Sequence, residues 1–206
     1  NLFDYIDIID GSNAIKIDII KDLDKCDTKL YEWMEDPECD KDFVRKVRKQ
    51  ISDAKKNLDT FTRQRNSLKE DPVIEQIKPR FLTPGGINSF DTPLFDFWLT
   101  LSGEEKKSRL TDWMLELDCI RIPVTTILYI WRLCTDHSSR FANHGFMQET
   151  ADTCDLINIE YEEGIRAYPV VSGFQSRVNI RFLPFDKDDP VGDVPFKIAY
   201  IKSTLE

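Results

Sequence analysis

Glycine and histidine are scarce in this chain, with eight and two among 206 residues. The glycines form neither the GxGxxG of a dinucleotide site nor a loop ending in GK[ST], which excludes two common phosphate cradles. GxSxG, HExxH and CxxC are missing as well, so no nucleophile elbow, zincin helix or redox pair is spelled out. Both histidines, His137 and His144, share a polar loop with Cys134 and Asp136. That loop is weak ground for a cysteine–histidine hydrolase. The expectation is a protein that is not an enzyme and requires no cofactor and no metal.

Cysteine is present but unpatterned. Cys26, Cys39, Cys119, Cys134 and Cys154 make an odd count with no histidine at zinc spacing. This points to thiols kept reduced in a cytoplasm. No run of eighteen apolar residues occurs, so no membrane-spanning helix and no membrane partner are expected. The opening NLFDYIDIID has three aspartates and no basic residue, which is not a signal peptide. It begins in mid-pattern without methionine, and a leading segment is expected to precede it.

Positive charge is in the minority, with 28 Lys and Arg against 37 Asp and Glu and a net charge of −9. General binding to nucleic acid is disfavoured, because phosphate contacts need a basic surface. The basic run VRKVRKQISDAKK lies in a segment where acids outnumber bases, and reads as a solvated helix face.

What is present divides by period. Phe3, Ile6 and Ile9 step by three before Asp10-Gly11 breaks the run. Ser12 is placed to cap a helix over Asn13–Met34, with Ile19 or Ile20, Leu23, Leu30 and Trp33 on its apolar face. One long helix is predicted over Asp40–Leu68, striped by Phe43, Val47, Ile51, Ala54, Leu58 and Phe61. At about 1.5 Å per residue it would span roughly 40 Å, a length suited to a dimer contact. The short polar link between the two helices predicts an antiparallel hairpin. Pro72 opens a shorter helix running to Phe81.

In FLTPGGINSFDTP, Pro84 stops that helix and Gly85-Gly86 permits a sharp turn. The turn is expected to pass the chain from a helical domain, 1–83, to a strand-rich domain, 84–206, although later helices can also pack on the first. SFDTPLFDFWLTL reads as extended, with Pro93 at a strand start or edge. Ser102 or Gly103 opens a helix whose face carries Leu110, Trp113, Met114 and Leu117. Pro123 interrupts or begins another, which Ile127, Leu128, Ile130, Trp131 and Cys134 fill on nearly all sides, predicting burial. Beyond His144 the period falls to two. DLINIEY, SRVNIRFLPF and VPFKIAYI predict antiparallel strands with one wet face. The fold class is α+β: an N-terminal helical domain with a long antiparallel hairpin, then a strand-rich domain with an antiparallel sheet and packed helices.

Charge is sorted along one of these strands. The stretch from Arg166 to Arg181 contains three arginines and no acid. Arg177, Asn179 and Arg181 fall on one strand face, at about 6.6 Å per two-residue step. Guanidinium presents a planar fork of donors that matches a carboxylate. Arg132 and Arg140 would add to this field if the preceding helix packs across the sheet, and Gly173 permits close approach of a backbone. Two arginines on a strand are as often solvated surface as a site. The competing reading is a groove for a short peptide with acidic and apolar side chains.

RFLTPGGINSFDTPLFDFWL, GFMQE and YPVVSGFQSRVNIRFLP, in this order and spacing, resemble the ZapD family of bacterial cell-division proteins. The resemblance is strongest from Leu68 to Phe185. It implies a non-enzymatic homodimer that binds the C-terminal tail of the tubulin-like protein FtsZ. Such a dimer bundles FtsZ filaments at midcell to support Z-ring assembly and septation. It further implies a basic groove associated with the strand-rich domain, with the family's arginine pair falling on Arg177 and Arg181. Two positions depart from the family pattern: Pro72 replaces a basic residue, and Asp96 replaces a histidine. Asp96 could instead pair with an arginine, and Lys69 is a substitute cation.

Overall fold

The computed structural model describes residues 2–10, 13–174, 176–186 and 189–203. The chain divides into two compact units, Asn1–Ile127 and Leu128–Glu206. The division falls after Ile127 rather than after residue 83, because the segment beyond the Gly-Gly turn first folds into further helices that pack on the earlier ones.

Helix α1 spans Leu2–Asp10 and α2 spans Asn13–Trp33. Ile6 is buried, and Phe3 meets the ring of Phe81 edge-on at 4.9 Å. Ser12 and the side chain of Ile9 lie outside the described residues. Ile19, Leu23, Cys26 and Leu30 form the buried stripe of α2. Helix α3, Lys41–Asp59, is capped by Asp40, whose carboxylate accepts from the backbone N–H groups of Asp42 and Phe43. Its buried residues are Val44, Val47, Ile51, Ala54 and Leu58, so Val44 faces inward in place of the partly exposed Phe43. Arg48 pairs with Asp27 at 2.7 Å, Lys55 with Asp24 at 2.7 Å and Lys16 with Asp59 at 3.8 Å. Residue order reverses across these pairs, so α2 and α3 run in opposite directions.

The single long helix is replaced by two. The break is at Thr60, whose backbone N–H reaches the carbonyls of Asn57 and Leu58 and whose hydroxyl donates to Asn57 at 2.7 Å. The chain then restarts as α4, Phe61–Glu70. Leu58 and Phe61 are both fully buried, so the apolar pattern runs through a break that it does not reveal. At about 1.5 Å per residue α3 spans roughly 28 Å.

Asp71 caps the next helix, α5 (Pro72–Ile77), with Pro72 in its first turn and a 3-10 turn, Lys78–Arg80, behind it. Asp71 also accepts from Arg109 at 2.6 Å and from the Trp113 indole at 3.0 Å. The Gly-Gly turn is built as its composition requires. Gly85 has φ +69, and a Cβ on Gly86 would lie 2.6 Å from the Arg80 carbonyl oxygen. Asn88 holds the rest of the loop, accepting from Phe90 and Asp91 and donating to the Gly85 carbonyl.

SFDTPLFDFWLTL is helical rather than extended. Helix α6 spans Pro93–Thr100, with Pro93 at its start, where a missing N–H costs nothing. Thr92 supplies no side-chain cap. The orphan N–H groups of Leu94 and Phe95 donate instead to Gln76 Oε1, at 3.0 and 3.1 Å. Trp98 stacks between Phe95 and Trp113. Helix α7, Gly103–Glu116, opens with a capping box between Ser102 and Glu105. Helix α8, Asp118–Leu133, carries Pro123 inside it. Only one side of α8 is buried, through Cys119, Ile120, Pro123, Ile127 and Ile130. Leu128 and Trp131 are half-buried, and Tyr129 and Leu133 exposed, so the helix is not enclosed as its composition predicts.

Among its described residues the strand-rich unit holds six strands in two sheets rather than one. They are β1 (Ser138–Ala142), β2 (Phe146–Thr150), β3 (Leu156–Tyr161), β4 (Ala167–Phe174), β5 (Arg177–Pro184) and β6 (Val194–Ile201). The orders are β1-β6-β3 and β2-β5-β4, with every neighbour antiparallel. Both sheets contribute to one core, Met147, Val178, Ile180 and Phe182 meeting Val194, Phe196 and Ile198. Alternation then turns Arg177, Asn179 and Arg181 away from that core. The β1–β2 link uses positive φ at His144 (47°) and Gly145 (74°), the geometry of a tight hairpin.

Candidate functional site

The candidate site is the outer face of the β2-β5-β4 sheet. Register places Phe146 and Val170 on either side of Arg181, Gln148 and Ser172 beside Asn179, and Thr150 beside Arg177. The first six of these line a depression of about 500 Å³. The arginines are four steps apart along the strand, a Cα distance of about 13 Å.

The electrostatic state of each arginine in the acid-free run differs. Arg166 is engaged by Asp186 at 2.5 Å and approaches Asp189 at 4.0 Å. Arg177 and Arg181 meet no carboxylate within ion-pair distance among the described residues. The guanidinium carbon of Arg181 lies 5.5 Å from the centre of the Phe146 ring. A ring face orients a guanidinium without occupying its N–H fork, so both arginines keep their donors for an incoming anion.

The remaining predicted site residues stand elsewhere. Arg140 is on β1, in the other sheet, and its Nε donates to Glu149 at 2.8 Å. Glu149 also accepts from the Tyr200 hydroxyl, and burial together with that carboxylate holds the phenol above its ordinary range. Arg140 therefore ties the two sheets together and does not extend the anion-receptive face. Arg132 is exposed on the last turn of α8 and is not among the residues that line the depression. Lys69 lies in the last turn of α4, in the helical unit. Pro72 and Asp96 belong to that unit too, as first-turn residues of α5 and α6, and Asp96 forms no ion pair among the described residues. Gly173 is not crowded: a Cβ there would make ordinary contact, 3.7 Å from the Arg177 carbonyl oxygen.

Phe146, Gln148, Val170 and Ser172 escape sequence reasoning. The signal for the first two is the alternation within GFMQET, which begins three residues after the end of the short strand SSRFA, at a glycine turn. Val170 and Ser172 sit in AYPVVSGF, where Pro169 and Gly173 lower strand propensity. Of the histidines, His137 contacts Asn158 at 3.0 Å and Glu160 at 3.2 Å, while His144 serves the β1–β2 turn, its backbone N–H donating to Asp193. Burial raises the Cys119 thiol to about 11, so it stays protonated. None of the five cysteines forms a disulfide. Among the described residues no helix is long and apolar enough to cross a membrane, and no cluster of metal-ligating side chains occurs.

Fold and face together define the class: an α+β protein whose strand-rich unit exposes two arginines on the outer face of one sheet. The family model for ZapD, described as a cell division protein, matches residues 1–181. The chain is also 30% identical over 200 residues to "Cell division protein ZapD" of Enterobacter sp. (strain 638), an alignment covering 97% of this chain and 80% of that one. The chain belongs to the ZapD family, whose members are non-catalytic cell-division adaptors.

Proposed function

We propose that this protein is a cytoplasmic adaptor that docks the acidic C-terminal tail of FtsZ on the outer face of β5 and, as a homodimer, bundles FtsZ filaments at midcell during septation. The observation that carries the reading is the pair Arg177 and Arg181, on one strand face with Asn179 between them and without carboxylate partners among the described residues, in a chain of net charge −9. Where acids outnumber bases, unclaimed guanidinium groups are conspicuous. Their donors match the side chains of an acidic segment. Family membership supports the choice of a division protein as partner.

One tail on two exposed arginines binds weakly and is salt-sensitive. Two sites on a dimer raise apparent affinity when a filament presents many tails, provided the geometry permits simultaneous engagement. Two-fold symmetry allows the sites to address different filaments. Titration of a labelled FtsZ tail peptide, with filament pelleting alongside, tests the reading. Replacing both arginines by alanine should remove binding and pelleting while leaving the unfolding midpoint in place. Undiminished pelleting by the double variant would reject it. The same face also suits an acidic peptide from another partner, and equal affinity for a scrambled tail of identical charge would favour that second reading.

A further inference from the structure

The depression on the β2-β5-β4 sheet is chemically divided. One row across it is Phe146–Arg181–Val170, and the next is Gln148–Asn179–Ser172. The second row offers amides and a hydroxyl. The first offers a cation with an apolar group on each flank. Phe146 is 41% exposed and Val170 is 42% exposed, both on the sheet face turned away from the core. Neighbouring strands lie about 4.8 Å apart, so each flank is one strand spacing from the line of β5.

We propose that Phe146, with Val170, forms an apolar subsite beside the Arg181 guanidinium, and that it makes the face select acidic segments bearing an apolar neighbour over equally acidic polar ones. The inference rests on the reading that this face receives an acidic tail. A carboxylate that uses the Arg181 fork brings the adjoining side chains of its own segment above Phe146 and Val170. An aliphatic or aromatic neighbour then removes exposed apolar surface on both sides. A serine or glycine neighbour leaves that surface wet. Charge alone cannot make this distinction, because Arg177 and Arg181 attract every acidic segment alike. The ring has a second role: lying 5.5 Å from the guanidinium carbon, it orients the fork before the ligand arrives.

The test uses the full chain and two fluorescent peptides of equal charge, the FtsZ tail and a twin with each apolar residue replaced by serine. The wild-type protein should bind the tail about tenfold more tightly than the twin, the usual scale for a buried apolar anchor. Phe146→Ser should bring that ratio near one, and Phe146→Leu should keep most of it. The salt dependence of tail binding should persist in both variants. Arg181→Ala should weaken both peptides and flatten the salt dependence. A ratio near one in the wild type, or a ratio that survives Phe146→Ser in a protein of unchanged melting profile, overturns the subsite. Undiminished binding of both peptides by Arg181→Ala and by the double arginine variant defeats the docking reading itself.

Discussion

In the helical unit Arg48 reaches Asp27, Lys55 reaches Asp24 and Arg109 reaches Asp71, each within 2.7 Å. In the strand-rich unit Arg140 and Arg166 are likewise held by carboxylates, yet Arg177 and Arg181 meet none among the described residues. The contrast separates two uses of the same chemistry. A paired cation fixes one element against another, and its charge is spent inside the fold. An unpaired cation on a rigid strand contributes little to stability and keeps its donors for a partner. Substitutions in the two groups should therefore move different observables.

The largest expected effect is on binding. Arg177→Ala combined with Arg181→Ala removes two charge-assisted contacts, and affinity for the acidic tail should fall at least about a hundredfold. The unfolding free energy should stay within about 0.5 kcal/mol of wild type, as at other exposed positions. A coincident loss of stability would erase the contrast. Next comes Asp71→Ala, which removes the α5 cap and leaves Arg109 and Trp113 without their shared acceptor. Urea denaturation should show a loss of about 2–3 kcal/mol, while tail titration stays unchanged.

Gly145→Ala sharpens the comparison within the strand-rich unit. The residue has φ +74, and a Cβ would lie 2.8 Å from Val191 Cγ1 and 2.9 Å from the Phe182 carbonyl oxygen. A cost of about 1–2 kcal/mol is expected, with β1 and β2 losing amide protection before β3 and β6.

The smallest effect concerns Asp27. Its hydrogen bond with Arg48 holds the carboxyl below its ordinary value of 3.8, against the opposing pull of burial. The folded chain thus keeps this proton off more readily than the unfolded chain does. The resulting stability is present above about pH 4 and is lost as pH falls further. Both side chains are about one-third exposed, so the pair contributes about 1 kcal/mol or less. Asp27→Asn should lower the urea midpoint slightly at pH 6 and leave it near wild type at pH 3.

Elements that carry their own start signals and uniform period were legible before any coordinate. A helix start at Asp40, another at Ser102 or Gly103, and the alternation of β3, β5 and β6 were all read from the order of residues. Elements defined by distant partners were not. Helix α6 takes its cap from Gln76, 18 residues upstream, so its own sequence read as extended. The break at Thr60 interrupts a stripe whose burial continues on both sides. Strands β1 and β2 are short and meet at a turn whose positive φ falls on His144 as well as on glycine.

By its order of side chains alone, the chain determined that Arg177, Asn179 and Arg181 share one strand face. A period of two leaves no other arrangement once Val178, Ile180 and Phe182 are buried. Only the tertiary structure decided which cations stay unclaimed and what flanks them. Glu149 and Tyr200 take Arg140, Asp186 takes Arg166, and strand register sets Phe146 and Val170 beside Arg181. The reason is that an ion pair or a cross-strand neighbour forms between residues distant in sequence, and its distance exists only after the chain has folded.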